Sequence, residues 1–437
     1  MLFAVPLILA GFLSQAYSII DTLIAGKILS YNGLAAIGST SAFIQFFSSV
    51  FWGYGVGFSI YAAHLFGEKN YKKLKSAIYL NYAAIIAVIV VLSVAVIVSR
   101  GWIFNLLKID ETIRKDTSLY FCIYMAGIVF ILMNSNFVYI MHALGSSTYP
   151  LIMSVISTLL HIVGNIAAVK YLNMGVGGIA VSTVLSAAII DVLYILEIKK
   201  CFKQLGVDGY KVDFKFSKIR ESFRYSLPTA MQQMLMYLSS VIISPMVNGI
   251  GTSASAAYAI CLKIYDVNAS VYQNSSKTLS NYTAQSLGAG KYENIRKGIK
   301  VGTLQGLLFS LPILIFSVIF AKQLCALFVP QGSTGDGYYM AVVFVRYFLP
   351  FIVLNLVNNL FHSFYRGVAA MKFLVIATFV GSVSRIAATY VCVKYLGMNG
   401  IYLGWVISWL IECIYTLTVY FTGVWKSEDI KNFELSK

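Results

Sequence analysis

Long, unbroken runs of apolar residues dominate this chain, separated by short segments of glycine, proline and charge. Twelve runs are read, at 2–26, 34–65, 77–99, 117–142, 150–170, 176–198, 224–247, 254–285, 299–321, 338–365, 372–394 and 399–424. At a rise of ~1.5 Å per residue each is long enough to cross a ~30 Å hydrocarbon layer as a helix. In lipid only helices and closed barrels satisfy their own backbone polar groups. The runs do not alternate apolar with polar residues, so barrel strands are excluded. A soluble enzyme is excluded by composition: 59% of the 437 residues are hydrophobic and 11% charged, against about 25% charged in soluble domains. The opening MLFAVPLILAGFLSQ has no basic flank and no small-residue cleavage site, so it reads as the first span. The predicted fold class is all-α integral membrane, with twelve transmembrane helices.

Charge then sets the orientation. The chain carries 33 Lys and Arg against 17 Asp and Glu, a formal net charge of +16. Of these bases, 21 fall in the even-numbered connections and the C-terminal tail, 8 in the odd-numbered connections and 4 inside runs. The positive-inside bias predicts a multi-pass protein of the cell membrane with both termini cytoplasmic. The basic stretch KKCFKQLGVDGYKVDFKFSKIRESFR, 199–224, reads as a central cytoplasmic loop beside anionic lipid, so no nucleic-acid partner is expected. Six scattered cysteines without a CxxC pair point to no metal centre, no disulfide framework and no cofactor.

The chain also repeats itself. LFGEKNYKKLKSAI (65–78) aligns with SLGAGKYENIRKGI (286–299) without a gap. Gly67/Gly288, Tyr71/Tyr292 and Ile78/Ile299 share an offset of 221, and Pro6/Pro228, Gly145/Gly367 and Gly178/Gly400 one of 222. The expected domains are a six-helix bundle over 1–200, a basic linker over 201–223 and a second six-helix bundle over 224–437. An even number of helices per unit gives both bundles the same orientation. They are then parallel and related by a pseudo-two-fold axis along the membrane normal, a chassis for alternating access around a cleft. A monomer is expected.

Ionisable groups at membrane depth are costly and mark function. The first half places Asp21 in its first run, His161 and Asn165 in its fifth, and Thr183 and Asp191 in its sixth. Counting helical rise from the ends puts Asp21, Asn165 and Thr183 in the outer half of the bilayer, and His161 and Asn165, four apart, share a face. Such a set suits a proton or a Na⁺ ion, with Asp21 as the carboxylate. No Lys or Arg inside a first-half run matches these acids, whereas the second half has both signs: Lys263, Asp266, Arg346, Arg385 and Glu412. Lys263 and Asp266, three apart, are expected to pair or to serve a second polar site. Gln232 and Gln233 follow Pro228 as Ser14 and Gln15 follow Pro6, and Gln15, Gln232 and Gln233 are read as cleft-lining candidates.

PLILAGFLSQAYSIIDTLIAGKI followed by GLAAIGSTSAF, AQSLGAGKYENIRKGIKVG and GVGGIAVSTVLS resemble segments of the multidrug and toxic compound extrusion (MATE) transporters. The resemblance runs over nearly the whole chain. It implies export of amphipathic, mostly cationic, organic compounds by H⁺- or Na⁺-driven antiport, with membrane lipid around the protein. It also implies a coupling role for Asp21, for His161 and Asn165 in place of the family's helix-five pair, and for Thr183. His161 departs from the amide usual there, and the seventh and tenth runs lack the acids that some branches carry. A lipid or lipid-linked saccharide flippase of the same wider superfamily is the alternative.

Overall fold

The computed structural model describes residues 31–107, 109, 111–212, 217–328 and 335–426, without the side chains of 31–35, 42, 217–219, 248, 252 and 256. The first apolar run, and with it Gln15 and Asp21, lies outside the described residues.

Each described apolar run has become helix. The first half gives α1 (Tyr31–Gly67), α2 (Tyr71–Val98), the short α3 (Arg100–Leu106), α4 (Glu111–Ala143), α5 (Thr148–Ile166) and α6 (Gly175–Gln204). The second gives α7 (Ser217–Ile250), α8 (Thr252–Gly288), α9 (Tyr292–Ile319), α10 (Ala321–Ala326), α11 (Asp336–Val343), α12 (Ile352–Gly367), α13 (Met371–Leu396) and α14 (Met398–Thr422). A π-helical turn, Ala167–Tyr171, prolongs α5. Another, Phe344–Phe348, and a 3-10 turn, Leu349–Phe351, join α11 to α12. Pro350 explains this second irregularity, because it has no N–H for the carbonyl one α-turn earlier, on Arg346.

The described chain groups into two compact units, to Ser226 and from Leu227, divided within α7. The duplication is visible inside each. Helices α2 and α9 both have 28 residues. Lys69 (φ 58°) and Gly290 (φ 68°) hold the equivalent left-handed turn position, as do Gly175 (φ 55°) and Gly397 (φ 54°). A lysine at the first of these positions accepts a backbone that glycine adopts without steric cost.

Ten described helical stretches are long and apolar enough to cross a membrane. Helix α2 shows the polarity expected there: it exposes Val91, Val94 and Val98 and buries Ile85, Ile89 and Ser93. Helix α8 is too polar to join the ten, because its serines and asparagines are turned inward. Asn268 donates to Ser317 Oγ on α9 at 3.0 Å and to the Ile264 carbonyl at 2.9 Å.

One charge differs from its loop reading. Lys75 is buried, and its ammonium donates to the carbonyls of Val207, Asp208 and Tyr210 at 3.0, 2.6 and 3.1 Å, just beyond the end of α6. Two neighbouring lysines make further contacts. Lys73 pairs with Glu221 at 2.7 Å, and Lys72 lies 5.6 Å over the Tyr210 ring.

Candidate functional site

In the first unit, α5 and α6 approach closely where Gly164 meets Ser182; a Cβ on Gly164 would run into Ser182 Oγ. That approach brings His161 and Thr183 together. His161 Nε2 lies 2.8 Å from Thr183 Oγ1, and Asn165 Nδ2 lies 3.3 Å from His161 Nδ1. His161 and Asn165 are buried, at 3% and 1% exposure, and Thr183 is half-buried.

These contacts favour the tautomer with its proton on Nε2. The Thr183 hydroxyl donates its only hydrogen to the Ile179 carbonyl at 2.8 Å. Its oxygen must therefore accept from His161 Nε2–H, and Nδ1 is left to accept from the Asn165 amide. A second proton, on Nδ1, would face the Asn165 N–H and force that amide to turn. The π-helical turn begins two residues past Asn165, so the backbone there departs from regular α-helix. Of the four coupling candidates the structure thus joins His161, Asn165 and Thr183, while Asp21 lies outside the described residues. Asp191 is buried further along α6, and its Oδ1 has no hydrogen-bond partner among the described residues.

The second unit holds a longer polar chain. Arg366 Nη2 donates to Gln232 Oε1 at 2.8 Å, which turns the other end of that amide to His362 Nδ1 at 3.1 Å. His362 Nε2 then faces Glu412 Oε1 at 3.1 Å, and Asn358 Nδ2 donates to Glu412 Oε2 at 3.2 Å and to the Trp409 carbonyl at 3.0 Å. Gln232, Asn358, His362, Arg366 and Glu412 are all buried. Gln232 was the only one of them read as a site candidate. Arg366, a loop charge by sequence, is buried instead. A sequence signal existed: on α12, Asn358, His362 and Arg366 recur every four residues, which stacks them on one face. The remaining candidates stand apart. Gln233 is half-buried, Lys263 and Asp266 are exposed on α8, and no ion pair joins these last two among the described residues.

Comparison with known proteins agrees with this architecture. The family model MatE matches residues 6–167 and again 228–391, once in each half. The probable multidrug resistance protein YpnP of Bacillus subtilis is 23% identical over 437 residues, covering 98% of this chain and 95% of its own. YoeA of the same organism, also described as a probable multidrug resistance protein, is 23% identical over 342 residues, 76% of this chain and 73% of its own. Among solved structures, the Vibrio cholerae MATE transporter VcmN superposes with a TM-score of 0.89 at 15% identity, over 98% of this chain and 97% of that one.

Proposed function

The chain belongs to the MatE family of transporters, and we propose that it exports amphipathic, cationic organic compounds across the cell membrane by alternating access, driven by inward movement of H⁺ or Na⁺. Two multidrug resistance relatives, each similar over more than two thirds of its length, support export of organic compounds as the activity. The bundle boundaries near 200 and 224 and the cytoplasmic placement of both termini are part of the same reading, from the repeat and the charge bias.

One observation carries the coupling reading: a buried imidazole has both ring nitrogens engaged, by Thr183 across the α5–α6 contact and by Asn165 one turn along α5. We assign Asp21 as the carboxylate that takes up the driving cation, with His161, Asn165 and Thr183 as the groups that respond. Cation arrival from outside rearranges these hydrogen bonds, the first bundle shifts and substrate leaves outward. Release of the cation to the cytoplasm restores substrate affinity. Reciprocity then requires substrate to weaken cation binding by the same factor.

The test is uptake of a fluorescent cationic dye into inverted vesicles, with pH and Na⁺ gradients imposed separately. Acceleration by an inside-acid gradient alone identifies H⁺ antiport, and by inside Na⁺ alone Na⁺ antiport. Asp21→Asn should insert normally and lose gradient-driven uptake. Full uptake in that variant would discard the mechanism.

A further inference from the structure

Arg385 sits mid-span on α13, on the stripe of Leu374, Thr378, Gly381 and Thr389 that this helix buries. Its guanidinium is therefore turned into the second unit, where an intramembrane cation ordinarily meets an acid. Among the described residues every partner of this guanidinium is neutral. Nη2 lies 3.4 Å from Tyr258 Oη, Nη1 lies 3.5 Å from Ser240 Oγ, and the guanidinium carbon lies 4.7 Å from the centre of the Trp405 ring. Both hydrogen bonds are at the long limit. Glu412 is the nearest acid along the same helix pair, packed on Gly381 one turn away, but its two oxygens are already engaged by His362 and Asn358.

A second observation is independent of charge. One buried N–H donor, Arg385 Nε, has no acceptor among the described residues, and its guanidinium stacks against the Trp405 ring. Buried donors left so are costly unless something accepts from them. The wider surroundings agree. Arg366 is buried and Lys277 and Arg385 are half-buried in this unit, while Glu412 is its one buried acid among the described residues. Rings frame the place: Trp405 stands edge-on to Tyr258 and Tyr265, and Tyr265 stacks on Trp409 with an interplanar angle of 14°.

We propose that Arg385 and Tyr258 form an oxyanion-binding site beside Trp405 and Ser240, which receives the carboxylate or phosphate of an aromatic compound. The Arg385 N–H groups and the Tyr258 hydroxyl meet at one locus, and the rings of Trp405, Tyr258 and Tyr265 frame it. The cargo would then include acidic or zwitterionic aromatics beside cations. That the occupant is cargo rests on the transport reading; the binding itself does not.

The test is binding to the purified full-length protein in uncharged detergent, with 1-pyrenebutyrate compared against its methyl ester by fluorescence anisotropy. The acid should bind about ten-fold more tightly than the ester, the size expected of a charge-assisted pair. Arg385→Gln should erase that preference with ester affinity kept. Tyr258→Phe, which removes only a hydroxyl, should reduce it, so the result does not hang on one variant's folding. Equal affinity for acid and ester in the wild type, or a full preference in folded Arg385→Gln, would overturn the site. In phosphatidylcholine nanodiscs the preference should persist when phosphatidylglycerol is added. Displacement of the probe by that lipid would give the site to a lipid phosphate and overturn aromatic cargo. Wild type that prefers the acid but exports no cationic dye would uphold the site and sink the transport reading instead.

Discussion

His362 Nε2 and Glu412 Oε1 stand 3.1 Å apart in the interior of the second unit, and the contact is oriented from a distance by Arg366. Arg366 has only donors, so Gln232 must offer it the amide oxygen and turn its NH₂ to His362 Nδ1. The ring proton is thereby placed on Nε2, toward the carboxylate. The carboxylate also holds Asn358. Glu412→Leu should remove the carboxylate that faces His362 and one of the two acceptors of Asn358, a cost of about 1–3 kcal/mol. Glu412→Gln should cost less, since one acceptor oxygen remains. Thermal unfolding in detergent reads both, and equal midpoints for wild type and Glu412→Leu would show that the contact contributes nothing.

Much of the fold was legible because lipid imposes a simple rule on sequence. An apolar run must be helix, and a repeat in sequence must repeat in structure, as the matched turns at Lys69 and Gly290 show. Helical rise puts Asn165 and Thr183 at like depth, and the four-residue spacing puts His161 on the Asn165 face, but the sequence does not say which of them touch. Contacts between buried polar groups distant in sequence were not. Gln232 and Arg366 are 134 residues apart, and no periodicity says that they meet. Lys75 and Arg366 were misplaced for one reason: a base near a helix end looks like a loop charge whether it faces water or carbonyls. Helix α8 reads as a weak span because its polar side chains, Asn268 among them, bond inside the unit.

Helices α13 and α14 run antiparallel in contact, and glycine sets their separation. A Cβ on Gly400 would lie 2.6 Å from Val393 N and run into the Cys392 carbonyl. Backbone cannot step aside as a side chain can, so Gly400→Ala should destabilise by about 1–3 kcal/mol, the usual cost of overpacking. Gly101 on α3 has open space where its Cβ would be. Gly101→Ala should be neutral or stabilising by up to ~1 kcal/mol, from helix propensity alone. Unfolding midpoints measured side by side check the pair, and a harmless Gly400→Ala would contradict the packing described.

Lys75 acts as a three-way clamp on carbonyls that α6 leaves behind at its end. Helix ends carry unsatisfied carbonyls and favour cations. Lys75→Met keeps the apolar stem but removes all three donors. The segment 205–212 should then open more often, seen as faster cleavage there by a site-selective protease with little change elsewhere. Lys75→Arg should not fully restore protection, because a planar fork does not reproduce a compact ammonium. An unchanged cleavage rate in Lys75→Met would show that other contacts hold the segment.

Thr183 has two tasks in the first unit: it donates to its own helix at Ile179 and accepts from His161. Thr183→Val keeps the shape and deletes both. The Ile179 carbonyl retains its helical hydrogen bond, so the main loss is the acceptor for a buried Nε2–H, worth about 1–3 kcal/mol. Thr183→Ser restores the oxygen and should recover both stability and gradient-driven dye uptake. A merely structural threonine would lose stability in Thr183→Val and keep uptake per folded molecule. A coupling threonine loses uptake per folded molecule as well, while dye binding without a gradient stays as in wild type. Uptake normalised to folded protein therefore separates the two roles, and normal uptake in Thr183→Val would remove this residue from the coupling set.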